Sequence, residues 1–289
     1  MEYKVQIGRV AFRIETPFPY KWQRADEGFL RWDGTAERTI QVNISSGNIE
    51  CPDRAPDAVV GLTDIWQEPR EEIRAYCAPF WPGQPLYALS RCRGDRMDVV
   101  FSGDMGLWDH PNMQLWNLIH LENFLQETGG IVLHSCYIVH QGRAILFTAP
   151  SGTGKTTQAN IWKRCYDAEI INGDKCLLQR VDGHWMAAGF PLHGSADECE
   201  NRSYPIGTIA VVRQADTDRV ERIGPAGALG MLYSECTVNS WDSSRVNGAL
   251  NLLTDLLMQV PVVVLHCTME DSAARVLYND IFGEMNGTV

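Results

Sequence analysis

The stretch Ala144-Ile-Leu-Phe-Thr-Ala-Pro-Ser-Gly-Thr-Gly-Lys-Thr-Thr157 holds the residue types that grip a polyphosphate. An apolar run enters a glycine-containing loop and leaves it as a helix, the context that a P-loop, or Walker A motif, requires. Backbone N–H groups around Ser151–Thr156 can converge on phosphate oxygens, helped by the positive end of the following helix, so the candidate cofactor-binding residues are Pro150, Ser151, Gly152, Thr153, Gly154, Lys155, Thr156 and Thr157. Gly152 and Gly154 permit backbone shapes and close approaches that a Cβ would block. Lys155 is placed to neutralise β- and γ-phosphates, and the Thr156 hydroxyl to ligate Mg²⁺. The pattern departs from G-x-x-x-x-G-K-[ST] at one position, where Ala149 replaces the first glycine. The expected ligand is a nucleoside triphosphate.

A site of this kind needs a carboxylate at the end of a neighbouring strand. Ile170-Ile-Asn-Gly-Asp174 supplies one, and Asp174 is the candidate metal-site carboxylate. Lys175 beside it either pairs with phosphate or is solvated. His134, in Val132-Leu-His-Ser135, lies on the strand before the loop strand. If the two strands form a hairpin through Gln141-Gly142, His134 falls opposite the loop's end. There it either positions the nucleophile or serves as a hydrogen-bonded core histidine. The turn-rich segment after Gly189 carries His193, Ser195, Asp197, Glu198, Glu200 and Arg202, which line the acceptor side or form a solvated loop. Gly224-Pro-Ala-Gly227 reads as a helix start, and Trp241-Asp242 as a core aromatic with an N-cap.

The elements that must hold these groups divide into two sets. Before residue 129, alternation over 3–14, with a phase change at Gly8, predicts two short strands or one bulged strand. Further strands are expected at Thr39–Ile44, Leu86–Arg91 and Met97–Ser102, and a helix over Asn112–Gln126. Tryptophans 22, 32, 66, 81, 108 and 116 are expected in the core of this β-rich domain. After residue 129 strands are expected at Ile131–Val139, Ala144–Thr148, Ala168–Ile171, Lys175–Arg180, Trp185–Ala188, Ile206–Arg213 and Val260–His266. Helices are expected at Lys155–Tyr166, Ala226–Tyr233, Ser243–Met258 and Asp271–Tyr278. Hairpins mixed with crossover helices indicate an α/β domain with a mixed sheet. The expected division is therefore 1–129, a β-rich N-terminal domain, and 130–289, a nucleotide-binding α/β domain.

Composition limits the partners. The chain has 289 residues, of which 45% are hydrophobic, and a formal charge of −11 spread over both halves. Without a clustered basic footprint, nucleic-acid recognition and attraction to an anionic membrane surface are disfavoured. No apolar run approaches a membrane span, and the start shows no signal peptide. Nine cysteines occur without a CxxC pair, as expected of free thiols in a cytoplasmic protein.

Residues His134–Lys175, with His134-Ser135, Gly142-x-Ala144-Ile-Leu-Phe-x-Ala-Pro-Ser151-Gly-x-Gly-Lys-Thr156 and Asn172-Gly-Asp174, resemble the HPr kinase/phosphorylase-like group. That group belongs to the P-loop kinases related to phosphoenolpyruvate carboxykinase. The likeness runs more loosely through Gly189–Arg213 and Thr237–Asp242. In look it is similar to the smaller HPr-kinase-like proteins that accompany ribosomal-peptide biosynthesis, including lasso-peptide kinases. The resemblance implies a twisted mixed sheet with flanking helices, ATP and Mg²⁺ as cofactors, and transfer to a serine or threonine hydroxyl of a peptide or small protein. A small hydroxylated metabolite such as free serine is the alternative acceptor, and a nucleotide-binding regulator without transfer the alternative class. It also implies catalytic roles for His134, Lys155 and Asp174. HPr kinases are hexameric, so a homo-oligomer is compatible with the likeness. One difference stands out: the family's pair of adjacent aspartates is here Gly173-Asp174. A single aspartate cannot serve both metal and acceptor. The base is then His134 or a carboxylate of the 197–200 loop, unless the transition state is loose enough to need little early deprotonation.

Overall fold

Gly8, at φ +56°, turns the first alternating run back on itself. Glu2–Ile7 (β1) therefore pairs antiparallel with Val10–Glu15 (β2), with Ile7 facing Val10 across the turn. The computed structural model describes residues 1–19, 26–30, 32, 34–78, 83–103, 115–192 and 198–283. The chain forms two units, Met1–Phe124 and Leu125–Val289.

The first unit is built on one mixed sheet of eight strands. To β1 and β2 it adds Arg38–Gly47 (β3), Ala58–Val60 (β4), Thr63–Glu68 (β5), Glu71–Cys77 (β6), Leu86–Arg93 (β7) and Arg96–Ser102 (β8). The order is β1-β2-β3-β8-β7-β6-β5-β4, with β3 parallel to both β2 and β8. One face buries Val5, Ile7, Phe12, Ile40, Val42 and Phe101 at two-residue spacing. Of the expected tryptophans, Trp66 and Trp116 are buried, whereas Trp32 is half-exposed under the Lys4 ammonium and Arg13 guanidinium. Trp22, Trp81 and Trp108 lie outside the described residues. The expected helix over 112–126 is shorter: a 3₁₀ turn at Leu115–Asn117 precedes the helix Leu121–Glu127 (α1). The reason is local. His120 sits at φ +46°, a conformation no α-helix continues through.

That irregular residue anchors a buried polar network. His120, 0% exposed, places Nε2 2.7 Å from Ser90 Oγ and Nδ1 3.0 Å from Glu72 Oε1. Arg74 lies between Glu72 and Glu122, at 2.6 and 2.7 Å. Burial and the Arg74 charge hold the His120 imidazole below its usual 6.5. Burial alone would raise the Glu72 carboxyl, but His120 and Arg74 hold it at about 2. The unfolded chain therefore takes up a proton at His120 below about pH 6.5 that the folded unit refuses, and one at Glu72 below about pH 4.5. Stability from both is complete above these values and falls as pH drops, by up to about 1.4 kcal/mol per pH unit for each group. Urea midpoints between pH 7 and 5 are expected to show the His120 part as a slope that His120→Asn removes. Asparagine tolerates the positive φ, so an unchanged slope in that variant would refute the assignment.

The second unit is α/β. Its strands are Gly130–His140 (β9), Arg143–Thr148 (β10), Glu169–Asn172 (β11), Lys175–Val181 (β12), His184–Ala188 (β13), Ser203–Gln214 (β14), Arg219–Arg222 (β15) and Val262–Cys267 (β16). Its further helices are Lys155–Tyr166 (α2), Pro225–Tyr233 (α3), Ser243–Leu257 (α4) and Asp271–Phe282 (α5). The long strands β9 and β14 each serve two sets of neighbours. The start of β9 pairs with β12, and its end pairs with β10 and β11. The start of β14 pairs with β13, and its end runs parallel to both β10 and β16.

Successive residues of the central strands face opposite layers. Ile145, Phe147, Ala210, Val212, Val263 and Leu265 pack with Trp162, Ala273, Leu277 and Phe282 of α2 and α5. Leu146, Ile209, Val211, Val262 and Val264 pack with Ala228, Leu232, Ala249, Leu253 and Leu256 of α3 and α4. The near-continuous apolar runs of β10 and β16 are thus those of strands covered on both faces. The α4 N-cap is Asp242, whose carboxylate accepts from the Ser244 and Arg245 amides. No described helix is long and apolar enough to cross a membrane.

Candidate functional site

The β9–β10 hairpin sets the site. Gln141 and Gly142, at φ +50° and +72°, form the tight turn that the twist of paired strands favours. This turn fixes the register Thr148 to Ser135, so His134 stands one residue beyond the last pair, where the chain leaves β10 for the loop. The Thr148 hydroxyl donates to the His134 carbonyl at 2.8 Å and ties the end of β10 to the middle of β9.

After Thr148 the chain turns through Ala149–Gly154 and starts α2 at Lys155. Gly152 is at φ +79° and Gly154, the N-cap, at φ +114°, both in the region that glycine alone enters freely. Lys155 is only 7% exposed. Its ammonium donates to the Ala149 carbonyl at 2.7 Å, with the Pro150 carbonyl at 3.4 Å, so the side chain folds back across its own loop. Thr153 Oγ1 closes the loop by donating to the Pro150 carbonyl at 2.8 Å. Thr156 is exposed and Thr157 half-buried in the first turn of the helix. Burial lowers the Lys155 pKa, and the nearby carboxylates of Glu235 and Asp174 oppose that shift.

Asp174 follows β11 in a turn built by Asn172. The fully buried Asn172 amide accepts from the Asp174 and Lys175 amides through Oδ1, at 2.8 and 2.9 Å. Through Nδ2 it donates to the Phe190 and Leu192 carbonyls. One side chain thus fixes both the turn and the segment that follows β13. The Asp174 carboxylate lies 3.1 Å from His134 Nε2, and this contact holds its carboxyl below the usual carboxylate range against partial burial. His134 is consequently no buried core residue: its ring is about a quarter exposed and bridges two carboxylates, Asp174 at Nε2 and Glu235 at Nδ1, 3.2 Å away.

A cleft of about 640 Å³ opens beside the loop. Its walls are Ala149–Thr153, the end of β14 (Val211, Val212, Arg213 and Gln214), and Met231, Ser234 and Glu235 at the end of α3. Sequence reasoning missed Glu235. The one signal available was its place two residues after the predicted helix end at Tyr233. The 198–202 segment runs beside the end of β11, where Cys199 bridges Asn172; Arg202 pairs with Glu169 and Glu200, and Glu198 lies 3.7 Å from Lys163. None of them lines this cleft, and their charged groups form exposed ion pairs. His193, Ser195 and Asp197 lie outside the described residues.

The donors present suit a hard, hydrated cation. Thr156 offers a hydroxyl and Asp174 a carboxylate, both oxygen ligands. Among the described residues no group of three His, Cys, Asp or Glu could cage a metal. One or two protein oxygens, completed by phosphate and water, are the usual environment of Mg²⁺. At the loop, the Thr153 amide and the Lys155 ammonium both donate to the Pro150 carbonyl, at 3.3 and 3.4 Å, and the α2 N-terminus opens beside them.

The family model described as "SynChlorMet cassette protein ScmC" matches residues 108–272, a span that includes His134, the loop, Asp174 and Glu235. No curated protein matches the chain. Among solved structures, the Hpr(Ser) kinase/phosphatase from Coxiella burnetii is similar at 10% identity with a TM-score of 0.33, covering 54% of this chain and 99% of that one. That likeness is too distant to carry chemistry from one chain to the other.

Proposed function

The chain belongs to the SynChlorMet cassette protein ScmC family, and we propose that it is an ATP- and Mg²⁺-dependent kinase that phosphorylates a serine or threonine hydroxyl of a peptide or small protein. The carrying observation is that the glycine loop with Lys155 leaves the end of β10 beside His134 in the middle of β9, which in turn contacts Asp174. Phosphoryl transfer asks a protein mainly for positioning and for charge stabilisation, with little covalent chemistry of its own. The loop amides and the α2 N-terminus would hold the phosphate chain. Lys155 would stabilise charge on the β- and γ-phosphates from a site where burial keeps water from screening it. Thr156 and Asp174 would ligate Mg²⁺, which supplies charge neutralisation across the phosphates. His134 would hold Asp174 in its orientation through Nε2. The residue 1–124 unit is free to serve acceptor recognition or packing.

The test is transfer of label from γ-labelled ATP with Mg²⁺ to peptides encoded beside the gene and to free L-serine. Labelled peptide is the expected result. Transfer to L-serine alone would move the assignment to a metabolite kinase. Nucleotide binding without transfer to any acceptor would favour a nucleotide-binding regulatory protein.

A further inference from the structure

The chain after α3 is pinned against β9 through its backbone. The His134 amide donates to the Glu235 carbonyl at 2.8 Å, the Thr237 amide donates to the Val132 carbonyl at 2.9 Å, and Cys236 bridges Leu133. Glu235 is thereby placed beside His134 twice, once by main chain and once by the contact of Oε2 with Nδ1 at 3.2 Å. Its side chain is 12% exposed, and the residue lines the cleft beside the loop. Of the described residues lining that cleft, Glu235 alone carries a carboxylate. Asp174, across the imidazole ring, does not line it. His134 contacts the Glu235 carboxylate through Oε2, and Oε1 takes no part in that contact.

We propose that Glu235 is the catalytic residue on the acceptor side: its carboxylate takes the proton of the incoming hydroxyl. As the acceptor oxygen bonds to the γ-phosphorus, the bond from that phosphorus to the β-bridging oxygen breaks, and ADP leaves with the bonding pair. The hydroxyl proton passes to Glu235 and then to solvent through the cleft. This division leaves Asp174 to the metal, for which its second oxygen, Oδ2, is not the one in contact with His134. His134 is then a positioning residue for both carboxylates. The proposal rests on the kinase reading of the same cleft.

The test needs no knowledge of the natural acceptor. Wild type, Glu235→Gln and Glu235→Asp are titrated calorimetrically with Mg²⁺ and a non-hydrolysable ATP analogue, then with Mg²⁺, ADP and aluminium fluoride. The second probe mimics the transferring phosphoryl group with water in the acceptor position. Glu235→Gln is expected to keep analogue affinity within about threefold and to lose about tenfold or more for the fluoroaluminate complex. Phosphoryl transfer to water should fall by about 10²-fold or more, as for other positioned bases. Glu235→Asp, which keeps the carboxylate, should recover part of the lost fluoroaluminate affinity. Fluoroaluminate affinity within threefold of wild type in Glu235→Gln overturns the proposal while leaving the kinase reading intact. A wild type that binds neither nucleotide overturns the kinase reading, and this role with it.

Discussion

Lys155→Ala is expected to lower phosphoryl transfer from ATP by about 10²–10³-fold, the usual loss when one preorganised donor is removed from a reacting centre. The side chain is nearly buried, and its ammonium rests on the Ala149 carbonyl at 2.7 Å. Alanine removes the charge and leaves that carbonyl without its donor, at a stability cost of about 1–3 kcal/mol. The fold should survive, because α2 is held to the sheet by Ala159, Ile161 and Trp162 and not by Lys155. Circular dichroism alongside the γ-label assay separates the two effects. A folded Lys155→Ala protein that transfers label at the wild-type rate would remove the loop from the mechanism.

A loss of comparable weight, in stability instead of rate, is expected in the first unit. Arg74→Ala should destabilise the sheet around β6 by about 3–5 kcal/mol, because it strands two carboxylates in a buried site. Arg74 is 7% exposed and meets Glu72 and Glu122 within hydrogen-bond distance. Breaking such a network from one side costs far more than its net worth when intact, since desolvated charge remains behind. Native-state hydrogen exchange at the β6 amides reads the change locally. Arg74→Met combined with Glu72→Gln and Glu122→Gln should recover much of the loss. A single-variant loss under about 1 kcal/mol would show that water reaches the pair and that the network is a surface one.

Local patterns account for most of what the chain discloses before folding. The apolar run 144–148, the glycines at 152 and 154 and the helix after them are readable because each depends on neighbours a few residues away. The expected helix bounds Lys155–Tyr166 coincide with α2, and Asp242 caps α4 as its residue type suggests. Four strands, β4, β5, β6 and β15, lie outside the expected ones, and for two of them the reason is visible. β4 exposes Val59 and Val60, and β15 reads Arg-Val-Glu-Arg, so neither shows the alternation of a half-buried strand. They are strands because neighbours supply hydrogen-bonding edges. The break at His120 was hidden for a similar reason, since an apolar periodicity says nothing about one residue's φ.

The site divides in the same way. Ser151–Thr157, His134 and Asp174 were visible as chemistry because a short motif carries its own spacing. Whether His134 was a core residue or a site residue depended on what stood at its two ring nitrogens. One partner, Glu235, is 101 residues away in sequence. It reaches the ring only because α3 packs on the sheet and the chain behind it returns along β9. The 198–202 segment shows another side of this: the partners of its charges, Lys163 and Glu169 among them, are set by the fold and not by the segment's own sequence. By itself the sequence determined the loop, its lysine and the carboxylate that follows, because backbone geometry there is local. Only the tertiary structure decided which carboxylate faces the cleft, because burial and long-range pairing belong to no short window of residues.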